Sequence, residues 1–419
     1  MEQKIVDHLF RHHYGKMVAI LTQYFGLAHI ETIEDAVQDT FIKATLKWRK
    51  QIPEYPEAWL TKVAKNRTID LLRSIKAEKN RNEENLESGF SEEINELFLD
   101  HEIEDSQLRM IFVACHPKLK PNEQIAFALK TISGFSTKEI AAALLSKEDT
   151  ITKRLHRARQ SIVKNNLQFE FPAPNEVYER LLSVMHVIYL TFNEGFHSTN
   201  SKQLIREDLC GEALRLCKLL LKKEKFRSGS MYALFALLCY HASRLQTKTN
   251  TSNEIVAIRE QDRSKWFLPL IQMGHSAMNT AMDYDEVSIY HYEAAIAAEH
   301  VKATTFENTD WKTILVLYQK LQQLQPSHLH LLNIATVKLQ LNKFESVSKI
   351  LESLAEVDLG QRAYLYYGCY AEYFERRGDT ILAIIYLNKA IAKTSNSLEK
   401  NYLKKKMEKL QGSNESFKS

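Results

Sequence analysis

Along residues 146–162, SKEDTITKRLHRARQSI, apolar side chains recur at Ile151, Leu155, Ala158 and Ile162, the spacing of a narrow helical stripe. Lys153, His156, Arg157 and Gln160 gather on the opposite side. The pattern predicts a helix with an anchored back and a cationic, hydrogen-bonding front. Upstream, NEQIAFALKTISGFSTKEIAAALL predicts an apolar helix, a turn at Gly134 and a second, short helix. Ser136 can cap that short helix, with Glu139 three positions on completing a capping box, and Ile140, Ala143 and Leu144 give it a buried face. Asp149 or Ser146 is expected to cap the basic helix. Helix, short turn, basic helix is the helix-turn-helix arrangement, whose second helix enters a duplex major groove while flanking Arg and Lys meet phosphate. A solvated surface helix carries the same charge run, so this stretch alone leaves both readings open.

Nearer the start, TIEDAVQDTFIKATLKW predicts a helix capped by Thr32, with a core stripe of Ala36, Val37, Thr40, Phe41 and Ala44. Asp35, Gln38 and Asp39 stay outside as an acidic edge suited to a basic protein partner. PEAWLTKVAKNRTIDLLRSIK starts with Pro56 at a helix entrance and turns Trp59, Leu60, Val63, Ile69 and Leu72 inward. Its outward residues are Lys62, Lys65, Asn66, Arg67, Arg73 and Lys76, a mixture suited to backbone and base contacts on opened DNA.

After FPAPN (171–175), helix follows helix. YGCYAEYFERRGDTILAIIYLNKAIA sets Tyr367, Ala371 and Phe374 on one helix, a turn at Gly378, and Ala383, Leu387 and Ala390 on the next. This fits a tetratricopeptide (TPR) unit. Weaker units lie at LLNIATVKLQLNKFESVSKILESL and DWKTILVLYQKLQQLQPS, where Pro326 ends one helix. Ile314, Ser346 and Ala383 are the expected equivalent positions, 32 and 37 residues apart. Stacked helix pairs form a concave surface suited to an unknown protein or peptide segment.

Composition narrows the class. Only 12 Gly and 8 Pro among 419 residues, with little β-branched alternation, favour an all-α protein of about two or three domains. No apolar run reaches membrane-spanning length and no signal-peptide core is present, so a cytoplasmic protein without membrane association is expected. Cys115, Cys210, Cys217, Cys239 and Cys369 are scattered in apolar helical contexts and read as buried thiols. The net charge of +4 hides a sharp alternation: residues 80–108 carry one Arg against ten acidic residues, and 109–164 carry eleven basic against four acidic. Two basic blocks are thus joined by an acidic stretch that repels DNA and reads mostly as a flexible linker.

Catalysis finds little support. Asn193, Glu194, His197, Asp208, Glu260, Asp262 and Arg263 are polar residues in apolar surroundings, and His186, Glu194, His197 and Cys210 could be drawn as a metal set. No HExxH or paired CxxC spacing appears, so no catalytic residue, metal or cofactor is assigned and the chain is not read as an enzyme. Asn193 and Glu194 are expected to cap or bridge helices, Asp262 and Arg263 to form ion pairs, and Cys210, Cys217, Trp266 and Trp311 to lie in the core.

EDAVQDTFIKA, WLTKVAKNRTIDLLRS and FSTKEIAAALL with DTITKRLHRARQSI resemble, in order and separation, the region 2 and region 4 motifs of extracytoplasmic-function (ECF) sigma factors. YLTFNEGFHS, REDLCGEALRLCKLL, REQDRSKWFLPLI, YHYEAAIAAEH and DWKTI resemble the carboxy-terminal extension of the ECF subgroup with a TPR-like domain. The resemblance implies region 2 at 1–79, the acidic linker at 80–108, region 4 at 109–168 and the TPR-like extension at 169–419. It implies a transcription initiation factor whose partners are core RNA polymerase, through its β′ clamp helices and β flap, and promoter DNA. Asp35, Gln38, Asp39 and Phe41 would then grip polymerase. Lys62, Lys65, Asn66, Arg67 and Arg73 would act at the −10 element, and Thr152, Lys153, Arg154 and Arg157 at the −35 element. Asn193, Glu194, Asp262, Arg263 and Trp266 would serve interdomain contact or regulation, the extension controlling activity. A TPR-containing DNA-binding regulator that is not a sigma subunit is the alternative, though it would have no need of a second, melting-type domain. A TPR-containing sensor or enzyme would be favoured by a ligand or metal bound at Asn193–His197.

Overall fold

A computed structural model describes residues 2–48, 51–79, 100–144, 146–196, 205–252, 254–355, 359, 362–394 and 396–415. Among them no strand forms, and the one β feature is an isolated antiparallel bridge between Thr249 and Ile255. The chain divides into two compact units, Met1–Thr191 and Phe192–Ser419. None of the described helices is long and apolar enough to cross a membrane.

The first unit contains α1 (Glu2–Phe25), α2 (Ile30–Lys47), α3 (Pro56–Lys79), α4 (Asp100–Ala114), α5 (Pro121–Thr131), α6 (Thr137–Ala143) and α7 (Glu148–Lys164); the division falls within α8 (Val177–Phe196). The stripe predicted for α2 is buried, as is Leu60 of α3, and Trp48 meets Trp59 edge-to-face at 5.4 Å. The α2 helix starts earlier than expected, at Ile30 after His29, so Thr32 lies inside it and caps nothing. The end of the acidic stretch is helical rather than loose: α4 packs on α1, Ser106 and Leu108 are buried, and the Ser106 hydroxyl donates to Gln23. Residues 80–99 lie outside the described residues.

In the helix-turn-helix, the Ser136–Glu139 capping box forms as expected, with Glu139 N–H donating to Ser136 Oγ at 3.2 Å and Ser136 N–H to Glu139 Oε2 at 2.8 Å. The cap expected for α7 does not form. Lys147 occupies the N-cap position without a side-chain bond, and Glu148 and Asp149 instead sit in the first turn, where their charge favours the helix dipole. Ile151, Leu155, Ala158 and Ile162 are all buried. Leu145, in the turn between the two helices, lies outside the described residues.

The second unit runs through α9 (Glu207–Lys222), α10 (Gly229–Ala242), α11 (Leu268–Met282), α12 (Ile289–Lys302), α13 (Trp311–Leu324), α14 (His328–Gln340), α15 (Phe344–Ser353), α16 (Ala363–Arg376), α17 (Thr380–Lys393) and α18 (Ser397–Glu415). Helix α10 is buried on nearly every side and packs against α11 and α12, as its almost uniformly apolar sequence requires. From α13 onward each helix packs chiefly on its sequence neighbours, the stacking a helical solenoid needs. Ala371, Leu387 and Ala390 share one core cluster with Tyr367 and Tyr386 against it. Gly378 adopts φ +81°, which lets Asp379 cap α17 through Leu382 N–H at 3.0 Å. The repeat register differs from the sequence reading by one residue. Val347 is fully buried on α15, as is Leu351, whereas Ser346 is half-buried and accepts from Lys338. All five cysteines are buried free thiols.

Candidate nucleic-acid and polymerase interface

On α2, Asp35 and Gln38 are exposed and Asp39 half-buried, so this edge faces solvent. Burial raises the Asp35 carboxyl, and the neighbouring Glu31 and Asp39 carboxylates raise it further. Phe41 differs: at 4% exposure its ring is part of the core and presents no surface. On α3, Lys62, Asn66 and Arg73 are exposed and Lys65 and Arg67 half-buried. Arg67 donates from Nε and Nη2 to Asp39 Oδ2, both at 2.8 Å. Residues assigned from the sequence to different partners therefore hold each other.

On α7, Thr152, Lys153 and Arg157 are exposed and Arg154 is half-buried. The Thr152 hydroxyl donates to Glu148 O at 3.0 Å, which turns it back along the helix. His156, Arg157 and Gln160 border a cleft of about 810 Å³ shared with Leu27, Ile30 and Glu31. Sequence reasoning gave Arg159 no role beyond its charge. Its guanidinium spans to α2, with Nη1 3.0 Å from Glu31 Oε1 and Nη2 2.5 Å from Glu34 Oε2. Glu34 is 2% exposed, and burial raises its carboxyl above the usual range, an effect that Arg159 opposes. A second contact reinforces this one. Gly15 of α1 lies so close to Ile132 that a Cβ would come within 1.9 Å of the carbonyl oxygen, and Gly134, at φ +70°, packs on Tyr14. The only sequence signals for these contacts are a lone glycine in α1 and a glutamate at a core position of α2.

In the second unit, Asn193 and Glu194 are half-buried in the last turns of α8 and cap no helix start; His197 lies outside the described residues. Asp262 and Arg263 do not pair. Asp262 accepts from Ser264 N–H at 3.1 Å and lies 3.2 Å from Lys265, while Arg263 donates to the carbonyls of His300 and Ala303 at 2.7 and 2.9 Å. Trp266 is buried beneath Arg263, and Trp311 is half-buried. Residues 254–260 run along the helical repeats. Glu254 bonds Lys405, Arg259 bonds Gln340 at 3.0 Å and lies 3.5 Å from Glu372, and Phe306 lies under the Arg259 guanidinium. Between this segment and the helices lies a groove of about 850 Å³ lined by His300, Trp311, Tyr318 and Tyr402, among others. Among the described residues, no group of three His, Cys, Asp or Glu side chains could hold a metal ion.

Residues 9–78 match Sigma-70 region 2, and residues 109–162 match Sigma-70, region 4. The chain belongs to the ECF-type sigma-70 factors. Helices α1–α3 are thus this sigma factor's region 2, and α4–α7 its region 4. Over 159 residues, 37% of this chain and 59% of the relative, the sigma factor is 30% identical to the ECF RNA polymerase sigma factor SigE of Mycolicibacterium smegmatis. Residues 180–282 match a family of unknown function, DUF6596. An uncharacterized protein of Rhizobium meliloti (strain 1021) is 34% identical over 394 residues, covering 93% of this chain and 92% of that one, so regions 2 and 4 and the extension recur together. No solved structure matches the chain.

Proposed function

We propose that this sigma factor is held shut between regions 2 and 4, and that its TPR-like extension governs when they separate to engage core RNA polymerase and promoter DNA. The observation that carries the reading is the placement of Arg159. It sits on the helix that would enter the −35 groove, and it is held by Glu31 and Glu34 of the helix that would grip polymerase. One element cannot be docked on α2 and follow a promoter to the −35 element at the same time.

In the open form, Asp35, Gln38 and Asp39 meet the basic face of the β′ clamp helices. Phe41 supports that edge from within. Lys62, Lys65, Asn66, Arg67 and Arg73 act on the opened −10 strand. Lys153 and Arg157 read −35 base edges beside Thr152, Arg154 meets phosphate, and region 4 approaches the β flap. The Asp39–Arg67 pair couples the first two events, since a cation of polymerase that takes Asp39 releases Arg67 toward DNA. The division into 1–79, 80–108, 109–168 and 169–419 follows these roles, with action in the cytoplasm beside polymerase and no catalytic chemistry of its own. The extension acts through the stretches around Asn193–Glu194 and Asp262–Trp266, and a protein or peptide segment on its repeats would bias the equilibrium.

Run-off transcription with purified core polymerase tests this reading, comparing the full chain with one ended after Thr191, where the compact units divide. Promoter output is expected to change several-fold. Indistinguishable output would make the extension a passenger.

A further inference from the structure

Residues 254–260 belong to no helix, yet they lie along the repeats. The groove beside them is lined from alternate helices, by His300 of α12, Asn333 of α14, Glu372 of α16 and Lys405 of α18, with Trp311 and Tyr318 from α13. Among the described residues neither α15 nor α17 contributes to that lining. In a stack of helix pairs every second helix shares one face, and stacked repeats bind their partners along such an extended face. The segment therefore occupies the place of a ligand.

Among the described residues its backbone groups bond only within residues 248–261, as in Asn250 N–H to Glu254 O at 3.0 Å and Val256 N–H to Lys248 O at 2.9 Å. Polar side chains near its two ends tie it to the repeats. Glu254 pairs with Lys405, and Arg259 meets Gln340, Glu372 and the Phe306 ring. The Arg259 side chain is 50% exposed and that of Lys405 57%, and ion pairs so open to water contribute little. Between these ties the groove of about 850 Å³ stays open beside Val256 and Ala257. The segment can leave the repeats with its own backbone bonds intact.

The acidic end of the face is built without the segment: Gln340 Nε2 and Arg376 Nε each donate to Glu372 Oε1 at 3.1 Å. Lys405 supplies the opposite charge from α18. We propose that residues 254–260 cover a docking site for another polypeptide, whose segment carries a carboxylate and, five residues on, an arginine, with apolar residues between. The arginine fork meets the Glu372 carboxylate and the Gln340 carbonyl oxygen, and the carboxylate meets Lys405. Apolar side chains larger than Val256 and Ala257 fill what the cover leaves open, which favours the partner over the cover. This names the chemistry of the polypeptide placed on the repeats above and rests on that reading for its effect on transcription, but not for the docking itself.

The test follows a fluorescent peptide, EIVAIREQ (residues 254–261), by anisotropy with the full chain. The double variant Glu254→Ala/Arg259→Ala releases the cover and alters only exposed ties, so it should unfold like the parent. It is expected to bind the peptide at least about tenfold more tightly than the parent does. Adding Lys405→Glu should remove that binding, and a peptide with Glu254→Lys should restore it. Equal binding by parent and double variant, no saturation of the double variant by about 1 mM, or binding indifferent to Lys405→Glu would overturn the proposal. A concentration-dependent dimer of the parent, lost in the double variant, would assign the face to a second copy of this segment and overturn it too. Binding as expected, beside truncated and full chains of equal promoter output, would uphold the site and defeat only the regulatory reading.

Discussion

Glu34 occupies a position of α2 that the helical pattern reserves for apolar side chains, between Ile33 and the buried Val37. Its carboxylate stays there because Arg159 arrives from α7. Burial nevertheless raises the carboxyl, so folding disfavours the ionised form relative to water. The sign follows by linkage. A carboxyl raised on folding stabilises most below the ordinary glutamate range, and that contribution is lost as pH rises through the raised value. Glu34→Gln should therefore flatten the fall of the unfolding midpoint across the pH window just above the ordinary glutamate range. A parent and variant with parallel pH profiles would show that Glu34 titrates as it does in water. The role of Glu34 was not legible in the sequence, because its partner is more than a hundred residues away and the motifs that hold Glu34 and Arg159 say nothing of a contact between them. Asp35, Gln38 and Asp39 were legible, because a polar edge beside an apolar stripe is a local pattern; the Asp39–Arg67 pair across two helices was not.

At the level of elements, periodicity sufficed wherever a helix has one buried side. The stripes of α2 and α7 and the α16–α17 pair fall where the pattern puts them. Helix ends were harder. Ser136 and Glu139 form their capping box, yet α2 and α7 begin without side-chain caps. The one-residue register difference at Val347 follows from hydrogen bonding. A serine at the small-residue position looks acceptable on the wheel, but a hydroxyl finds its partner in Lys338 at the helix edge and the valine goes inward. Asp379 gives a direct measure of an end that does depend on its cap. Asp379→Ala should destabilise the extension by about 1 kcal/mol, read from denaturant unfolding, while Asp379→Asn should lose only a fraction of that. Equal losses in the two would point to charge rather than capping.

For the sigma module taken whole, the tightest joint is Gly15 against Ile132. Any side chain there must push region 2 and region 4 apart, since the obstacle is a backbone oxygen that cannot rotate away. Gly15→Ala costs little within α1 itself, because alanine is the better helix former. Its effect should appear at the joint: faster amide exchange along α5–α7, and several-fold greater capture of core polymerase. Arg159→Ala should act in the same direction, because separation returns the Glu34 carboxylate to water. Unchanged exchange in both variants would mean that the joint carries no restraint. Neither effect is foreseeable from one sequence, in which a glycine inside a helix reads only as a weak point.

The segment 254–260 has a further consequence for whatever the repeats bind. Joined to its groove by a short stretch of its own chain, it competes at an effective concentration on the order of millimolar. A separate polypeptide seeking the same face must outbid a rival that never diffuses away, so casual contacts with abundant proteins are filtered out. Only a partner that is tight, or that shifts Arg259 away from Glu372 and Gln340 as it arrives, gains access. If the repeats bind a polypeptide as proposed, tethering would make them selective by mass action, without any additional contact for specificity.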